Sequence, residues 1–172
     1  MQSLKLANSD KESLLLVDDD PLIVESLSLV LSEEFEVVTA PNRRRARELL
    51  QKLEIKPSLA LVDLGLPPTP HSPEEGFHLI QELVAFNRSI KTMVLSGQSE
   101  HSNIQHALTL GAVDFIPKPC DVDLLKARLK HQLMMLDERF RPVRTDPGAD
   151  VVEDLVVGLV HVDGRRVRLP RL

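Results

Sequence analysis

Acidic, hydroxyl and basic side chains recur in this sequence directly after short apolar runs, where a buried strand would end. Asp63 closes the run Leu59–Val62 and is followed by Gly65 and Pro67. An apolar run of this length, bounded by glycine and proline, predicts a buried parallel strand. The other chemically active side chains placed after apolar runs are Asp18, Asp19, Asp20, Ser96 and Lys118. The sequence therefore concentrates its chemistry at strand ends.

These strand ends are expected to form one site, because open α/β sheets keep their ligand crevice at the carboxyl ends of the strands. Carboxylates gathered in one crevice repel each other, so either one takes up a proton or a cation lies among them. Mg²⁺ binds oxygen ligands and coordinates only a few carboxylates, which leaves one acid free to react. A carboxylate beside Mg²⁺, with an ammonium and a hydroxyl opposite, suits transfer of a phosphoryl group to that carboxylate. We predict that Asp63 is the group that attacks.

Strand and helix patterns alternate along the chain and would position these side chains. Strands are predicted at residues 13–17, 35–39, 59–63, 90–97 and 112–116. An apolar stripe with helical spacing follows each strand. The residues expected to begin or end these helices are Asp20, Pro21, Ser72, Pro73, Asp121, Pro57 and Gly111. Strict alternation of this kind predicts an α/β doubly wound sheet with all strands parallel and right-handed crossovers.

The composition argues against some classes of function. The 172 residues are 42% hydrophobic and 27% charged, an ordinary balance for one globular domain with an appendage. A net charge of -5 offers no overall basic field for nucleic acid or for an anionic membrane surface. Cys120 is the only cysteine, so no intramolecular disulfide is expected, and no apolar stretch has the length or flanks of a signal peptide or a membrane span. We expect a cytoplasmic protein.

The sequence at these strand ends resembles the receiver domain of two-component response regulators, the CheY-like family. The motifs that carry the resemblance lie at residues 15–20, 61–67, 94–97 and 111–119, in the family's order, within a match over about residues 13 to 136. The resemblance implies a flavodoxin-like, five-stranded parallel sheet with strand order 2-1-3-4-5. The proline-rich loop from Pro67 to Gly76 is longer than the family's usual connection, and it resembles that of a subset of NtrC-class regulators.

The resemblance implies a role for each acidic side chain of the site. Asp63 would be the phosphoacceptor. Asp18 and Asp19 would be the acids of the Mg²⁺ site together with Asp63, and the backbone carbonyl of Gly65 would be a further ligand. Mg²⁺ is therefore the implied cofactor.

The resemblance also implies a switch. Ser96 would be the hydroxyl that turns toward the phosphoryl group, Lys118 would be the lysine that contacts it, and Phe115 would be the aromatic residue that swings inward when the hydroxyl moves. The bond between Lys118 and Pro119 resembles one that is cis in this family. A phosphoryl group adds roughly two negative charges and new acceptor oxygens, around which the neighbouring loops would repack.

Partners follow from the same resemblance. The phosphoryl group would come from a sensor histidine kinase or a phosphotransfer protein, and the chain would catalyse only its own phosphorylation and dephosphorylation. The responding face would consist of the fourth helix, the fifth strand and the fifth helix. In this family that face often forms dimers, so we expect it to control a phosphorylation-dependent homodimer, a partner or an output domain.

The chain is expected to divide into a flexible tail at 1–12, a receiver domain at 13–140, a linker at 141–150 and a β-hairpin at 151–172. Asp163 and Gly164 between two strand-like runs give a strong hairpin signal. The hairpin resembles the opening sheet of a winged-helix effector, but the recognition helix is absent, so we expect no direct binding of nucleic acid. The segment is either a hairpin that packs on the protein or the remnant of an output domain. In the second case the chain would be the N-terminal fragment of a transcription regulator.

Three classes of function remain, and the residues favour a phosphorylation-switched signalling module, because the acceptor, the acids, the hydroxyl and the lysine are all present. An aspartate-nucleophile phosphohydrolase commonly has a second acid two positions after its nucleophile, where this chain has Gly65. A phosphorylation-independent pseudo-receiver scaffold usually lacks a key side chain, and this chain lacks none. Cys120 is expected to pack rather than to act as a nucleophile, and the histidines show no metal-ligand spacing.

Overall fold

The predicted alternation of strands and helices is present in the structure, a computed structural model that describes residues 10–52, 56–140, 159–162 and 165–168. The elements, in chain order, are β1 (Glu12–Val17), α1 (Pro21–Leu31), β2 (Phe35–Ala40), α2 (Arg43–Lys52), β3 (Leu59–Val62), α3 (Glu74–Phe86), β4 (Lys91–Ser96), α4 (His101–Leu110), β5 (Asp114–Pro117), α5 (Val122–Phe140), β6 (Leu159–Val162) and β7 (Arg165–Arg168).

The first five strands form one parallel sheet in the order β2-β1-β3-β4-β5, which confirms the predicted flavodoxin-like topology. β3 lies at the centre of this sheet, and its residues are all buried. Val17 pairs with Val62, so the residues that follow them leave the sheet at the same level. Ser96 pairs with Pro117 at the end of the next two strands. This register brings the predicted site residues to one edge of the sheet.

Successive side chains of a strand point to opposite faces of the sheet, and the core follows this alternation. One buried cluster joins alternate strand residues to α1 and α5, and it includes Leu14, Leu16, Leu61, Leu31, Leu125 and Leu129. A second joins the intervening strand residues to α2 and α3, and it includes Leu15, Val17, Val62, Ala46, Leu79 and Leu83. The sheet is therefore covered by helices on both faces, as a doubly wound fold requires.

The helix boundaries at Asp20, Asp121 and Gly111 lie where the sequence predicts them. Asp20 accepts a hydrogen bond from the backbone N–H of Leu22, and Pro21 is the first residue of α1. Asp121 accepts hydrogen bonds from the backbone N–H groups of Asp123 and Leu124 at the start of α5. Gly111 ends α4 with a φ of 118°, a left-handed conformation in which a Cβ atom is unfavourable.

The fifth strand differs from the predicted range 112–116, because it begins at Asp114 and includes Pro117. The backbone N–H of Ala112 still donates to the carbonyl of Ala107, so that residue completes the end of α4. The apolar run 112–116 did not show that its first residue completes the end of α4 and that the strand begins only at Asp114. Pro117 is tolerated because β5 is an edge strand, where a missing N–H need not break the ladder.

The C-terminal segment contains the predicted hairpin, with β6 antiparallel to β7 and Val162 paired with Arg165. The chain divides into two compact units, Met1–Met134 and Met135–Leu172. The predicted tail up to residue 9, the linker at 141–150 and the turn residues Asp163 and Gly164 of the predicted hairpin lie outside the described residues. Among the residues that are described, no helix is long and apolar enough to cross a membrane.

Candidate functional site

Two aspartates at the carboxyl edge of the sheet are positioned by the backbone of neighbouring strands. The N–H of Asp63 donates to the carbonyl of Val17 over 2.9 Å, and the N–H of Asp18 donates to the carbonyl of Ala40 over 3.2 Å. These bonds fix each aspartate directly beyond its strand. The two carboxylates therefore leave adjacent strands side by side.

Lys118, which follows β5 at the same edge of the sheet, contacts both of these carboxylates. Its Nζ atom lies 2.7 Å from Oδ2 of Asp18 and 3.3 Å from Oδ2 of Asp63. The side chain of Asp18 is only 3% exposed, and that of Asp63 is 11% exposed. Asp63 is therefore the more accessible of the two carboxylates that share the ammonium.

The third acidic residue of the predicted metal site, Asp19, belongs to the same cluster. One carboxylate oxygen from each of Asp18, Asp19 and Asp63 can be chosen so that all lie within 4.8 Å of one another. Asp20 is instead engaged in capping α1 through Oδ1. The cluster offers oxygen donors only, which fits Mg²⁺, a hard cation that takes oxygen ligands. The coordination by the backbone carbonyl of Gly65 stays a prediction.

Burial, rather than the pairing with Lys118, has the larger effect on the ionisation of Asp18. Burial raises the pKa of Asp18, although hydrogen bonds from Lys118 and from the N–H of Asp20 act in the opposite direction. Burial also acts to lower the pKa of Lys118, but its hydrogen bond to Asp18 and the charges of both aspartates outweigh this effect and raise that pKa. Lys118 is thus held as a cation, while Asp18 is left with an unfavourable negative charge that a divalent cation would neutralise.

Ser96 lies at the end of β4 and is fully buried. Its Oγ atom accepts a hydrogen bond from the backbone N–H of Gln98 over 3.2 Å, and its carbonyl accepts one from the N–H of Lys118 over 3.0 Å. The hydroxyl predicted to switch is thus held by its own loop, and the same residue positions the lysine through the backbone.

Phe115 is buried, with 7% of its surface exposed. It belongs to a cluster with Leu64, Ile80, Val94, Ala107 and Ala112, between the sheet and the helices α3 and α4. The resemblance implies a ring that swings inward on activation, whereas the structure describes a ring that is already buried. A second position of this ring stays a prediction.

The peptide bond between Lys118 and Pro119 is cis, as the resemblance implies. A second cis bond joins Pro67 and Pro68 in the loop after Asp63, and only the pair of prolines could have indicated it.

Gly76 is a positioning residue of the site that sequence reasoning missed. Its N–H donates to the carbonyl of Leu64, and a Cβ atom at this position would lie 2.4 Å from Cα of Leu64 and 2.8 Å from the carbonyl oxygen of Asp63. Only a glycine lets α3 approach the backbone of the acceptor residue this closely. A glycine early in an amphipathic helix was the available signal, since it costs helix stability and calls for a packing reason.

A parallel α/β sheet of order 2-1-3-4-5 with three acids and a lysine at its carboxyl edge defines a CheY-like receiver. The chain belongs to the response regulator receiver domain family of two-component systems, which it matches over residues 14–130. The acidic cluster lies where receiver domains bind Mg²⁺, and members of the family interact with histidine kinases or phosphotransfer proteins.

Individual relatives agree with this assignment. The chain is 34% identical over 122 residues to the transcriptional regulatory protein KdpE of Staphylococcus aureus, which covers 70% of this chain and 49% of that protein. It is 30% identical over 158 residues to the KDP operon transcriptional regulatory protein KdpE of Escherichia coli, which covers 91% of this chain and 67% of that protein. A crystal structure of a CheY-like receiver domain protein from Methanospirillum hungatei superimposes with a TM-score of 0.68 at 26% identity, covering 75% of this chain and 98% of the other.

Proposed function

We propose that this chain is a phosphorylation-activated receiver that accepts a phosphoryl group on Asp63 from a sensor histidine kinase or a phosphotransfer protein. The observation that carries the proposal is the shared ammonium of Lys118, 3.3 Å from Asp63 and 2.7 Å from the more deeply buried Asp18. Of the two carboxylates that share this ammonium, Asp63 is the more accessible, and it also belongs to the acidic cluster of the predicted metal site.

In the proposed step, a carboxylate oxygen of Asp63 attacks the phosphorus atom of the donor's phosphohistidine. An O–P bond forms, the P–N bond breaks, and the imidazole nitrogen keeps the electron pair and takes up a proton. The Nζ atom of Lys118 lies 3.3 Å from Oδ2 of Asp63. It can therefore contact an oxygen of the transferred phosphoryl group with little movement of its side chain. Lys118 thereby stabilises the charge that develops on the phosphoryl oxygens.

The side chains that would hold Mg²⁺ are those of Asp18, Asp19 and Asp63. The family resemblance adds the backbone carbonyl of Gly65. The bound ion would supply positive charge to the phosphoryl oxygens. Asp18 would contribute through its buried carboxylate, whose pKa is raised by burial. Oδ2 of Asp18 accepts a hydrogen bond from Lys118, and Oδ1 accepts one from the backbone N–H of Asp20 over 2.9 Å. These two bonds fix the orientation of the carboxylate.

The proposed output is a change at the surface formed by α4, β5 and α5. A phosphoryl group adds roughly two negative charges and strong acceptor oxygens at the edge of the sheet. The hydroxyl of Ser96 would turn from the N–H of Gln98 toward these oxygens, and Phe115 of β5 would respond. Multi-angle light scattering with and without the phosphoryl mimic beryllofluoride would show whether this surface controls a homodimer, which is one of the proposed readouts.

The first test is the intact mass of the chain after incubation with acetyl phosphate, in the presence of Mg²⁺ or of a chelator. We expect a Mg²⁺-dependent gain of one phosphoryl group that is absent in Asp63→Asn. Asp114→Asn is a matched control, because Asp114 is a carboxylate of β5 paired with Arg128 rather than Lys118. No gain in the wild type, with Mg²⁺ binding established separately, would favour a phosphorylation-independent scaffold.

A transcriptional output is a second proposal, supported by the length of one alignment. The match to the KDP operon regulator covers 91% of this chain, so it extends beyond the receiver into the C-terminal segment. Transcription assays in cells with and without the kinase's signal would test it. The proposal also includes membership of the NtrC-class subset and catalysis restricted to the chain's own phosphorylation and dephosphorylation. We further propose a cytoplasmic location, which fractionation of cells that express a tagged chain would test.

A further inference from the structure

The loop between β3 and α3 is folded into successive turns rather than extended. The N–H of Thr69 donates to the carbonyl of Leu66 over 3.1 Å, and the N–H of Ser72 donates to that of Thr69 over 3.0 Å. These turns place the carbonyl of Pro70 over Gly65, where a Cβ atom would lie 2.4 Å from the Pro70 oxygen. The loop therefore returns over the segment that follows Asp63.

Gln98 connects this loop to the switch segment after β4. Its Nε2 atom donates to the carbonyl of Pro70 over 3.1 Å. Its backbone N–H donates to Oγ of Ser96 over 3.2 Å, and its carbonyl accepts a bond from Nδ2 of Asn103 in α4 over 3.3 Å. One residue thus links the switch hydroxyl, the first turns of α4 and the proline-rich loop.

We propose that the hydrogen bond between Gln98 and Pro70 is a strap that holds the segment 97–100 in its resting conformation and opposes the turn of Ser96 toward phosphorylated Asp63. This inference rests on the proposed function, because it concerns the same switch. Gln98 is in this sense a positioning residue that acts through Ser96.

The physical reason is that Ser96 cannot turn without releasing a backbone group. When the hydroxyl leaves, the N–H of Gln98 loses its acceptor and must find another by moving toward water. The side chain of Gln98 resists that movement as long as it is bound to Pro70, which an ordered loop holds in place. Loss of one neutral hydrogen bond changes an equilibrium by about two- to tenfold, and this sets the expected size of the effect.

Gly65 contributes to the same arrangement. A Cβ atom at this position would lie 2.7 Å from Nε2 of Gln98 as well as 2.4 Å from the Pro70 oxygen, so a side chain here would push donor and acceptor apart. Gly65→Ala should therefore weaken the strap without altering Gln98.

The test compares the wild type with Gln98→Met, which keeps the length of the side chain and removes its N–H donor. Gln105→Met is the matched control, because Gln105 is an exposed glutamine of α4, the helix that follows the segment 97–100. Hydrogen–deuterium exchange of the peptide covering 97–100 is measured on the unphosphorylated protein in chelator, with Gly65→Ala included. The rate of phosphorylation by acetyl phosphate with Mg²⁺ is then measured for the wild type and both methionine variants.

We expect exchange to rise about two- to tenfold in Gln98→Met and Gly65→Ala, and phosphorylation of Gln98→Met to be faster by a similar factor, with Gln105→Met unchanged in both. Unchanged exchange in Gln98→Met would overturn the strap. Faster exchange with an unchanged or slower phosphorylation rate would overturn its opposition to the switch. A wild type that gains no phosphoryl group would overturn the proposed function and the strap's role in it, while the exchange result would still decide whether Gln98 restrains the loop.

Discussion

Lys118 forms an ion pair with Asp18 over 2.7 Å, although the two residues are 100 positions apart and follow strands that are separated by two others in the sheet. The contact spans the carboxyl edge of the sheet from the end of β5 to the end of β1, and Asp63, which follows the intervening β3, lies 3.3 Å from the same ammonium. The site is therefore held together by one ammonium that serves two carboxylates.

Replacement of Lys118 by methionine should destabilise the protein, because it leaves the buried carboxylate of Asp18 without its cation. We expect a loss of about 1–3 kcal/mol in the free energy of unfolding in chelator, measured by urea denaturation. Lys130→Met is the control, since Lys130 is a half-exposed partner of Glu34 and such surface pairs contribute about 0–1 kcal/mol. Equal losses in both variants would contradict the role assigned to Lys118.

Asp18→Asn should stabilise the protein in chelator at neutral pH, because burial raises the pKa of Asp18 in the folded state. The folded state then binds a proton more readily than the unfolded state, so this residue's contribution to stability falls as pH rises from the unfolded value of 3.8 through the folded pKa. The difference between Asp18→Asn and the wild type should therefore grow between pH 4 and the folded pKa and then level off. Urea denaturation across this pH window measures it, and a constant difference would contradict the sign.

Addition of Mg²⁺ should reverse that order. A ligand that binds only the folded state stabilises it by about 2.7 kcal/mol at a concentration of roughly 100 times its Kd. We expect the unfolding temperature of the wild type to rise with Mg²⁺ and that of Asp18→Asn to respond much less. An equal response in the two proteins would place the ion elsewhere.

Gly76→Ala should destabilise the protein by about 1–3 kcal/mol, because its Cβ atom would overlap the backbone at Leu64 and Asp63. This loss opposes the gain of roughly 1 kcal/mol that alanine brings to a helix interior. Gly97→Ala is a matched control, since a Cβ atom there would meet nothing within 4 Å. Thermal unfolding of both variants is measured. The steric explanation predicts a loss of stability in Gly76→Ala alone, whereas a general effect of removing glycine predicts no difference between the two variants.

Cys120 should react slowly with iodoacetamide, because burial raises the pKa of its thiol above the ordinary value of 9.0. Less thiolate is present at a given pH, and the thiolate is the reacting form. The alkylation rate, measured by mass spectrometry, should rise with pH and level off. We expect it to level off at a higher pH in the folded protein than in the protein unfolded by urea. Rapid modification of the folded protein near neutral pH would contradict the packing role predicted from the sequence.

Local patterns were sufficient to predict a doubly wound parallel sheet with Asp18, Asp63 and Lys118 at one edge, whereas the strand order followed from the family resemblance. Asp63 and Asp18 could be located because each follows a short apolar strand, and parallel strands deliver such residues to one edge. The caps at Asp20 and Asp121 followed equally from local residue types. These features depend on neighbours within a few positions of the chain, so they can be predicted from the sequence alone.

Contacts between distant loops could not be predicted in this way. The bond between Gln98 and Pro70 depends on how an unusually long loop turns back over Gly65, and no spacing rule specifies that path. The close approach of Gly76 to Leu64 likewise depends on the angle at which α3 meets the sheet. The buried position of Phe115 reflects packing among three elements rather than its place after Asp114.

The most direct test of the central claim is to locate the phosphoryl group on the chain. The wild type is incubated with acetyl phosphate and Mg²⁺, reduced with borohydride, which converts an aspartyl phosphate to homoserine, digested and sequenced by mass spectrometry. We predict homoserine at position 63 alone, dependent on Mg²⁺ and lost in a Lys118→Met variant or in chelator. Reduction at another carboxylate, or at none while Mg²⁺ binds, would contradict the assignment of Asp63 as the phosphoacceptor.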